Sequence, residues 1–313
     1  MTIDDVQRLG IHESVDAVFP PARLEAALSG LDADVEIVGD DPDRVAECDG
    51  LVTFAHRDYF VGAVEWLHTI QAGYDRFPLD TFEREGIALT NSTGIHGESV
   101  GETATGYMLA LARRLHTFIE NQHERAWDRP DWDEAFTIAG ESLCVVGLGT
   151  LGRGVAERAD ALGMDVSGVK RTPEPVPGVE HVYANDDLHE AITGAKFVAL
   201  TVPLTEETHN LVGETELAAM DDDAYLINVA RGGVVDQDAL VDALERGEIA
   251  GAALDVFEAE PLPEDSPLWD MDEVIVTPHA AAATRDYFRD IAELVRENVG
   301  RIERGEDLQN RVA

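Results

Sequence analysis

CVVGLGTLGRGVAERADALGM (Cys144–Met164) runs from a short apolar segment through Gly147, Gly149 and Gly152 into a stretch whose Val155, Ala159 and Leu162 share one helical face. A strand, three glycines in GxGxxG spacing and a helix, in that order, predict the phosphate-binding turn of a dinucleotide site. Gly147 permits the tight turn, Gly149 lets backbone approach a pyrophosphate, and Gly152 lets helix and strand pack closely, with Thr150 and Leu151 completing the loop. The helix N-terminus then offers N–H groups and partial positive charge to the phosphates.

Reading outward from this turn, SLCVVGLG, MDVSGV, KFVALTVP, AYLINVA, IAGAALDVF and EVIVTP are six strand candidates with helical segments between most of them. Six is the strand number of a doubly wound dinucleotide-binding sheet. Upstream, Val35–Gly39, Gly50–Phe54, Trp66–Gln71 and Ile87–Asn91 read as short buried strands separated by polar helical patches, which predicts a second parallel sheet. Between the two blocks, apolar residues from Val100 to Ile119 recur at spacings of three and four. They predict one long helix over Gly97–Gln122, N-capped by Ser99 with Glu102 three residues on. A final helix over about Thr284–Gly305 is expected to return to the first domain. The expected architecture is therefore α/β, with two doubly wound parallel-sheet domains. Residues 101–284 form a Rossmann domain, inserted into a substrate domain made from 1–100 and 285–313.

The chain of 313 residues carries 63 acidic and 23 basic side chains, a formal charge of -40, with 44% hydrophobic residues. So negative a surface repels nucleic acid and anionic membranes, and neither is expected as a partner. The apolar periodicity persists throughout, which argues for a folded chain rather than acidic disorder. Near-absence of lysine, only Lys170 and Lys196, resembles the composition of halophilic proteins, whose self-repulsion is screened over about 3 Å in molar salt. No signal-like or membrane-spanning stretch is apparent, so a cytoplasmic protein is expected. Cys48 and Cys144 make no disulfide framework, Cys144 reads as core, and His56, His68, His96, His181 and His189 show no metal-binding spacing.

One lysine stands in VSGVKRTPEP, where the second strand of the dinucleotide unit ends. An NAD-preferring site places Asp or Glu there to bind the ribose hydroxyls. Here the place reads Val169, Lys170, Arg171, Thr172, two cations and a hydroxyl suited to a 2'-phosphate, so NADP is the expected cofactor, with NAD a weaker possibility.

The segments His68–Leu115, Gly147–Met164 and Leu226–Thr284 together resemble the D-isomer-specific 2-hydroxyacid dehydrogenase family, in matching order over about residues 66–285, while the first 60 or so diverge. The resemblance implies a flavodoxin-like substrate domain, a nicotinamide cofactor, a homodimer joined through the Gly97–Gln122 helix, and an active site in the cleft between domains. It also implies reduction of a 2-oxo acid to a D-2-hydroxy acid. The motifs NxxRGxxVD, DVFExEP and TPHxA fall on Arg231, Glu260 and His279.

The chemistry of those three residues agrees. Histidine can deliver a proton near neutral pH, a neighbouring Glu260 favours the charged ring and orients it, and the planar fork of Arg231 grips a carboxylate as lysine cannot. By the same resemblance Ala72, Gly73 and Tyr74 hold the substrate carboxylate; Thr53, Phe54, Ala55 and His56, which follow a first-domain strand, are expected to line its pocket. Val202, Pro203, Thr208, Asn228, Ala230 and Asp255 line the cofactor, Asp255 beside the nicotinamide carboxamide. Rival readings are a nucleotide-sensing regulator on the same fold, a phosphoglycerate- or glyoxylate-type reductase, and a formate dehydrogenase; the last is expected to carry an amide where Glu260 stands.

Overall fold

The computed structural model describes residues 5–74 and 76–313. The chain divides into two compact units, one running up to Ile95 and resuming at Ala283–Ala313, the other spanning His96–Ala282.

The first unit holds five parallel strands: β1 (Arg8–His12), β2 (Asp34–Val38), β3 (Gly50–Thr53), β4 (Trp66–Thr69) and β5 (Ala88–Thr90), in the order β2-β1-β3-β4-β5. This is the flavodoxin-type order, with crossovers on both faces. Strands β3 and β4 are buried at every position, because helices cover both sides of the sheet. One covering layer contains the terminal helix Tyr287–Glu303, whose Ile291, Val295 and Val299 join Leu9, Ile11 and Leu24 in a single core. The return of this helix to the first sheet is as expected from sequence. Strand β1, RLGIH, escaped the sequence reading because its charged first residue and its glycine interrupt the apolar run.

The second unit holds seven parallel strands rather than six: β6 (Ser142–Val146), β7 (Asp165–Val169), β8 (His181–Tyr183), β9 (Phe197–Leu200), β10 (Tyr225–Asn228), β11 (Gly251–Leu254) and β12 (Val274–Val276). Their order is β12-β11-β10-β9-β6-β7-β8, a dinucleotide-binding sheet extended by one strand. In the order 3-2-1-4-5-6, β8 is the third strand and β12 the extension; β8, absent from the six candidates, is an edge of three residues with only partial burial, too short to show a period.

The helix expected over Gly97–Gln122 is two helices, Gly97–Ala112 and Leu115–Glu124. The break falls at Arg114, in the left-handed region at φ 54°. The carbonyl of Ala112, which an unbroken helix would use internally, instead accepts the N–H of Phe136 at 2.9 Å. Nor is Ser99 the N-cap: the helix starts at Gly97, and Ser99 sits inside the first turn with its hydroxyl donating to the His96 carbonyl. At this end the helix crosses helix Thr150–Ala161 at backbone contact. A Cβ on Gly154 would lie 1.9 Å from the Gly97 oxygen, and one on Gly101 2.4 Å from the Gly154 oxygen.

Both cysteines are buried free thiols, and burial pushes Cys48 up to about 11 and Cys144 to about 12, so they serve as packing. No helix among the described residues is long and apolar enough to cross a membrane.

A polar cluster lies inside the first sheet. Fully buried His68 places Nδ1 2.9 Å from Thr90 Oγ1, which also accepts the Trp66 indole N–H, while Nε2 lies 3.2 Å from Ser92 Oγ. Burial pushes the imidazole down to about 3. Above pH ~6.5 both folded and unfolded chains hold it neutral; below that, only the unfolded chain gains the proton, and stability falls by about 1.4 kcal/mol per pH unit. Urea unfolding between about pH 7 and 5 will show a pH slope shallower by about this amount in His68→Gln than in the parent; equal slopes would remove the histidine from the account.

Candidate active site

The glycine turn follows β6. Gly147 has φ 103°, and a Cβ there would meet Val202 Cγ1 at 2.7 Å. Gly152 lies so close to the turn that a Cβ would come 2.0 Å from the Gly147 oxygen. Gly149 differs from both: its Cβ direction opens on space with no atom within 4 Å. It is the N-cap of helix Thr150–Ala161 and no side chain caps that end. The turn therefore presents uncapped helix N–H groups beside an open approach, which fits a pyrophosphate. Thr201, not anticipated from sequence, braces the turn by donating to the Gly147 oxygen at 2.6 Å.

At the end of β7 the sequence-derived cations are on the surface. Lys170 Nζ lies 3.5 Å from Glu174 Oε2, one turn-length further along, so a carboxylate does enter this region. Arg171 and Thr172 are exposed, and Arg171 forms no ion pair among the described residues. In the loop after β9, Val202 is partly buried and Pro203 exposed. Thr208 closes the loop on itself, donating to the Pro203 oxygen at 2.6 Å and accepting the Thr205 N–H at 2.8 Å.

Arg231 stands just beyond β10. Buried Asn228 builds its turn, Oδ1 accepting the Ala230 N–H at 3.0 Å and Nδ2 donating to the Arg231 oxygen at 3.1 Å. The guanidinium donates back to the Ala230 oxygen at 2.7 Å. Asn228 and Ala230 thus shape the arginine's presentation. The following glycine has a steric reason to be one: a Cβ on Gly232 would lie 1.8 Å from the Phe257 carbonyl carbon. That approach sets the arginine segment against the chain leading to Glu260. His96, also absent from the sequence-derived site, is buried at the start of helix Gly97–Ala112. Burial, reinforced by the Arg231 charge, pushes it down to about 4 and keeps it neutral.

Glu260 and His279, nineteen positions apart, meet at 2.9 Å between Oε2 and Nδ1. Glu260 is itself held, its Oε1 accepting the Phe257 N–H at 3.3 Å. With Nδ1 facing the carboxylate, Nε2 is the ring atom left to exchange a proton with a ligand. The backbone of His279 is left-handed, φ 52°, a conformation found in a few per cent of non-glycine residues. Asp255 holds it there. Its carbonyl accepts the His279 N–H at 2.8 Å, and its buried carboxylate accepts the N–H groups of Ala280 at 2.9 Å and Ala281 at 2.8 Å.

In the first unit, the segments carrying the expected substrate contacts are tied together. Gln71 Nε2 donates to the Phe54 oxygen at 2.9 Å, and Asn91 Nδ2 to the Ala72 oxygen at 2.7 Å. Ala72 and Gly73 are partly buried and Tyr74 is exposed, all past the C-terminal end of β4, where ligands of parallel sheets bind. Thr53 is instead a buried bracing residue, bonded to Ser14 and to the Ala55 oxygen. His56 faces a cavity of about 550 Å³ with Asp58, Val61, Arg76, Phe77, Pro78 and Thr81.

The arrangement can bind a dinucleotide, anchor an anion and move a proton. The chain is also similar in sequence and structure to known proteins. A family model described as the NAD-binding domain of D-isomer specific 2-hydroxyacid dehydrogenases matches residues 105–281. Over 283 residues the chain is 37% identical to a glyoxylate reductase of Korarchaeum cryptofilum, covering 86% of this chain and 84% of that one. The structure of a D-isomer specific 2-hydroxyacid dehydrogenase family protein from Aeromonas salmonicida matches with TM-score 0.87 at 30% identity, covering 98% of this chain and 99% of that one. A further one from Xanthobacter autotrophicus, in complex with NADPH and MES, matches with TM-score 0.81 at 32% identity, covering 98% of each chain.

The glycine geometry separates binding from folding. Gly149→Ala adds a methyl group to open space and will leave thermal stability near that of the parent while weakening dinucleotide binding by tenfold or so, read by cofactor fluorescence titration. Gly152→Ala meets backbone and will destabilise the fold by about 1–3 kcal/mol. Equal melting temperatures for the two variants would contradict this assignment.

Proposed function

This chain belongs to the D-isomer-specific 2-hydroxyacid dehydrogenase family, and on that footing we propose that it reduces 2-oxo acids to D-2-hydroxy acids with NADPH. The observation that carries the reading is the Glu260–His279 pair at 2.9 Å, oriented so that Nε2 is available. Bound NADPH supplies the hydride. The protein's part is to hold the substrate and supply the proton. His279 Nε2 donates to the carbonyl oxygen as negative charge develops there, and Glu260 holds Nδ1 and so fixes the orientation of the ring. Arg231 binds the substrate carboxylate through two N–H groups and polarises the carbonyl. Substrate contacts from the first unit are assigned to Ala72, Gly73, Tyr74 and Phe54. In the second unit the dinucleotide is assigned to Gly147, Gly149, Thr150, Leu151 and Gly152, with the chain at Val202 and Pro203.

Preference for NADPH rests on Lys170, Arg171 and Thr172. Since Lys170 is engaged with Glu174, Arg171 is the principal 2'-phosphate ligand. A homodimer is assigned to the surface around helix Leu115–Glu124. Leu115, Ile119, Trp127 and Trp132 are 46%, 57%, 92% and 93% exposed there, while buried Arg114 Nε and Thr117 Oγ1 lack hydrogen-bond partners. Apolar exposure beside unsatisfied buried polar atoms is the pattern of an interface. The acidic surface is assigned to work in concentrated salt, in the cytoplasm, where free thiols persist.

Mixing the protein with NADPH and a panel of 2-oxo acids in molar salt will oxidise the cofactor; no turnover with any of them would reject the enzyme reading. Glu260→Gln will lower kcat by about 10² or more. Arg171→Ala will raise the KM for NADPH by a factor of about 10 to 10² and leave that for NADH nearly unchanged; equal effects on both cofactors would reject the phosphate assignment. Dialysis to dilute buffer will unfold or inactivate the protein, followed by circular dichroism and activity, and full stability there would remove the salt adaptation.

A further inference from the structure

Helix Gly97–Ala112 touches both halves of the second unit's site. Its first turns lie in backbone contact with helix Thr150–Ala161, which carries the phosphate-binding turn at its start. Its middle turns reach the His279 segment. Thr103 Oγ1 donates to the Ala281 oxygen at 3.0 Å, and the Tyr107 hydroxyl lies 2.6 Å from Thr277 Oγ1 and 3.4 Å from Asp255 Oδ1. Thr277 in turn lies 2.7 Å from Asp255 Oδ1. A carboxylate cannot donate, so Thr277 donates to Asp255 and Tyr107 donates to Thr277, one proton to each bond. Burial pushes the phenol up to about 12, so it keeps that proton.

The carboxylate at the end of this chain is 2% exposed and holds the two residues after His279. We propose that Tyr107 and Thr277 are positioning residues for His279, acting through Asp255, so that the helix bearing Tyr107 sets the angle at which the imidazole meets its substrate. Nothing in the sequence separates Tyr107 from the apolar stripe in which it lies; its hydroxyl acquires a role only where β11 and β12 end. Loss of the Tyr107 hydroxyl frees Thr277 to turn away from Asp255. The Ala280 and Ala281 N–H bonds then loosen, and the left-handed backbone at His279 loses its support.

The proposal rests on His279 as proton donor, and its test keeps the two apart. Tyr107→Phe retains the ring and its packing; Thr277→Val and Thr277→Ser remove and retain the hydroxyl. Expected for Tyr107→Phe and Thr277→Val are a kcat about tenfold lower, an NADPH Kd within about twofold of the parent, and amide exchange at Ala280 and Ala281 about tenfold faster, with Thr277→Ser close to the parent in all three. Unchanged kcat in Tyr107→Phe, whether or not the amides exchange faster, overturns the positioning role. So does equal loss in Thr277→Ser and Thr277→Val. His279→Gln run alongside reports on the donor itself: if it still turns over at the parental rate, the proton-donor reading fails, and the exchange data remain as a statement about Asp255 alone.

Discussion

A carboxylate buried at the end of β11 has to be satisfied where it stands, since an unpaired buried charge costs several kcal/mol. Asp255 meets that demand with donors from one short stretch: the Thr277 hydroxyl and the N–H groups of Ala280 and Ala281, with its carbonyl taking that of His279. The backbone geometry of His279 follows from this constraint. His279 adopts a left-handed backbone conformation, with its own N–H and those of the two residues after it bonded to Asp255. The imidazole then lies where Glu260 can receive Nδ1.

Close backbone approach is the second constraint, and glycine is its instrument at a few places. Gly152 admits the glycine turn, Gly154 admits the helix that carries Tyr107, and Gly232 admits the strand end that leads to Glu260. Gly154 and Gly232 bring together segments distant in sequence by removing one methyl group's width, while Gly152 closes the turn on Gly147 just before it. The glycine turn, Arg231 and His279 all lie in the second unit.

Charge is distributed with similar economy. Of the two lysines, Lys196 is structural: its ammonium bonds the Asp223 carboxylate at 2.9 Å and carbonyl at 2.7 Å, and lies 4.6 Å from the centre of the Phe136 ring. It fastens the segment that follows the exposed tryptophans to the edge of β9 and β10. The other, Lys170, follows β7 and pairs with Glu174, leaving the exposed guanidinium of Arg171 beside it as a cation in a surface rich in carboxylates. The contrast is strongest for an anionic ligand, whose approach the remainder of the surface opposes.

Much was legible from residue order alone. The two parallel sheets and the glycine turn follow from patterns confined to a few consecutive residues, because periodicity and turn chemistry are local properties of a chain, while Arg231, Glu260 and His279 were singled out by motifs of the family the chain resembles. Local reading failed where a distant group intervened. The long helix ends at Ala112 because Phe136 takes its carbonyl. The edge strand β8 exists because β7 offers it a ladder. Tyr107, Thr277 and Asp255 form one hydrogen-bonded chain although 170 positions separate the first two. Such contacts arise only when crossovers fold remote segments side by side. Short motifs thus carried the fold and the candidate residues, while the geometry around those residues depended on which buried polar atoms the finished fold left for one another.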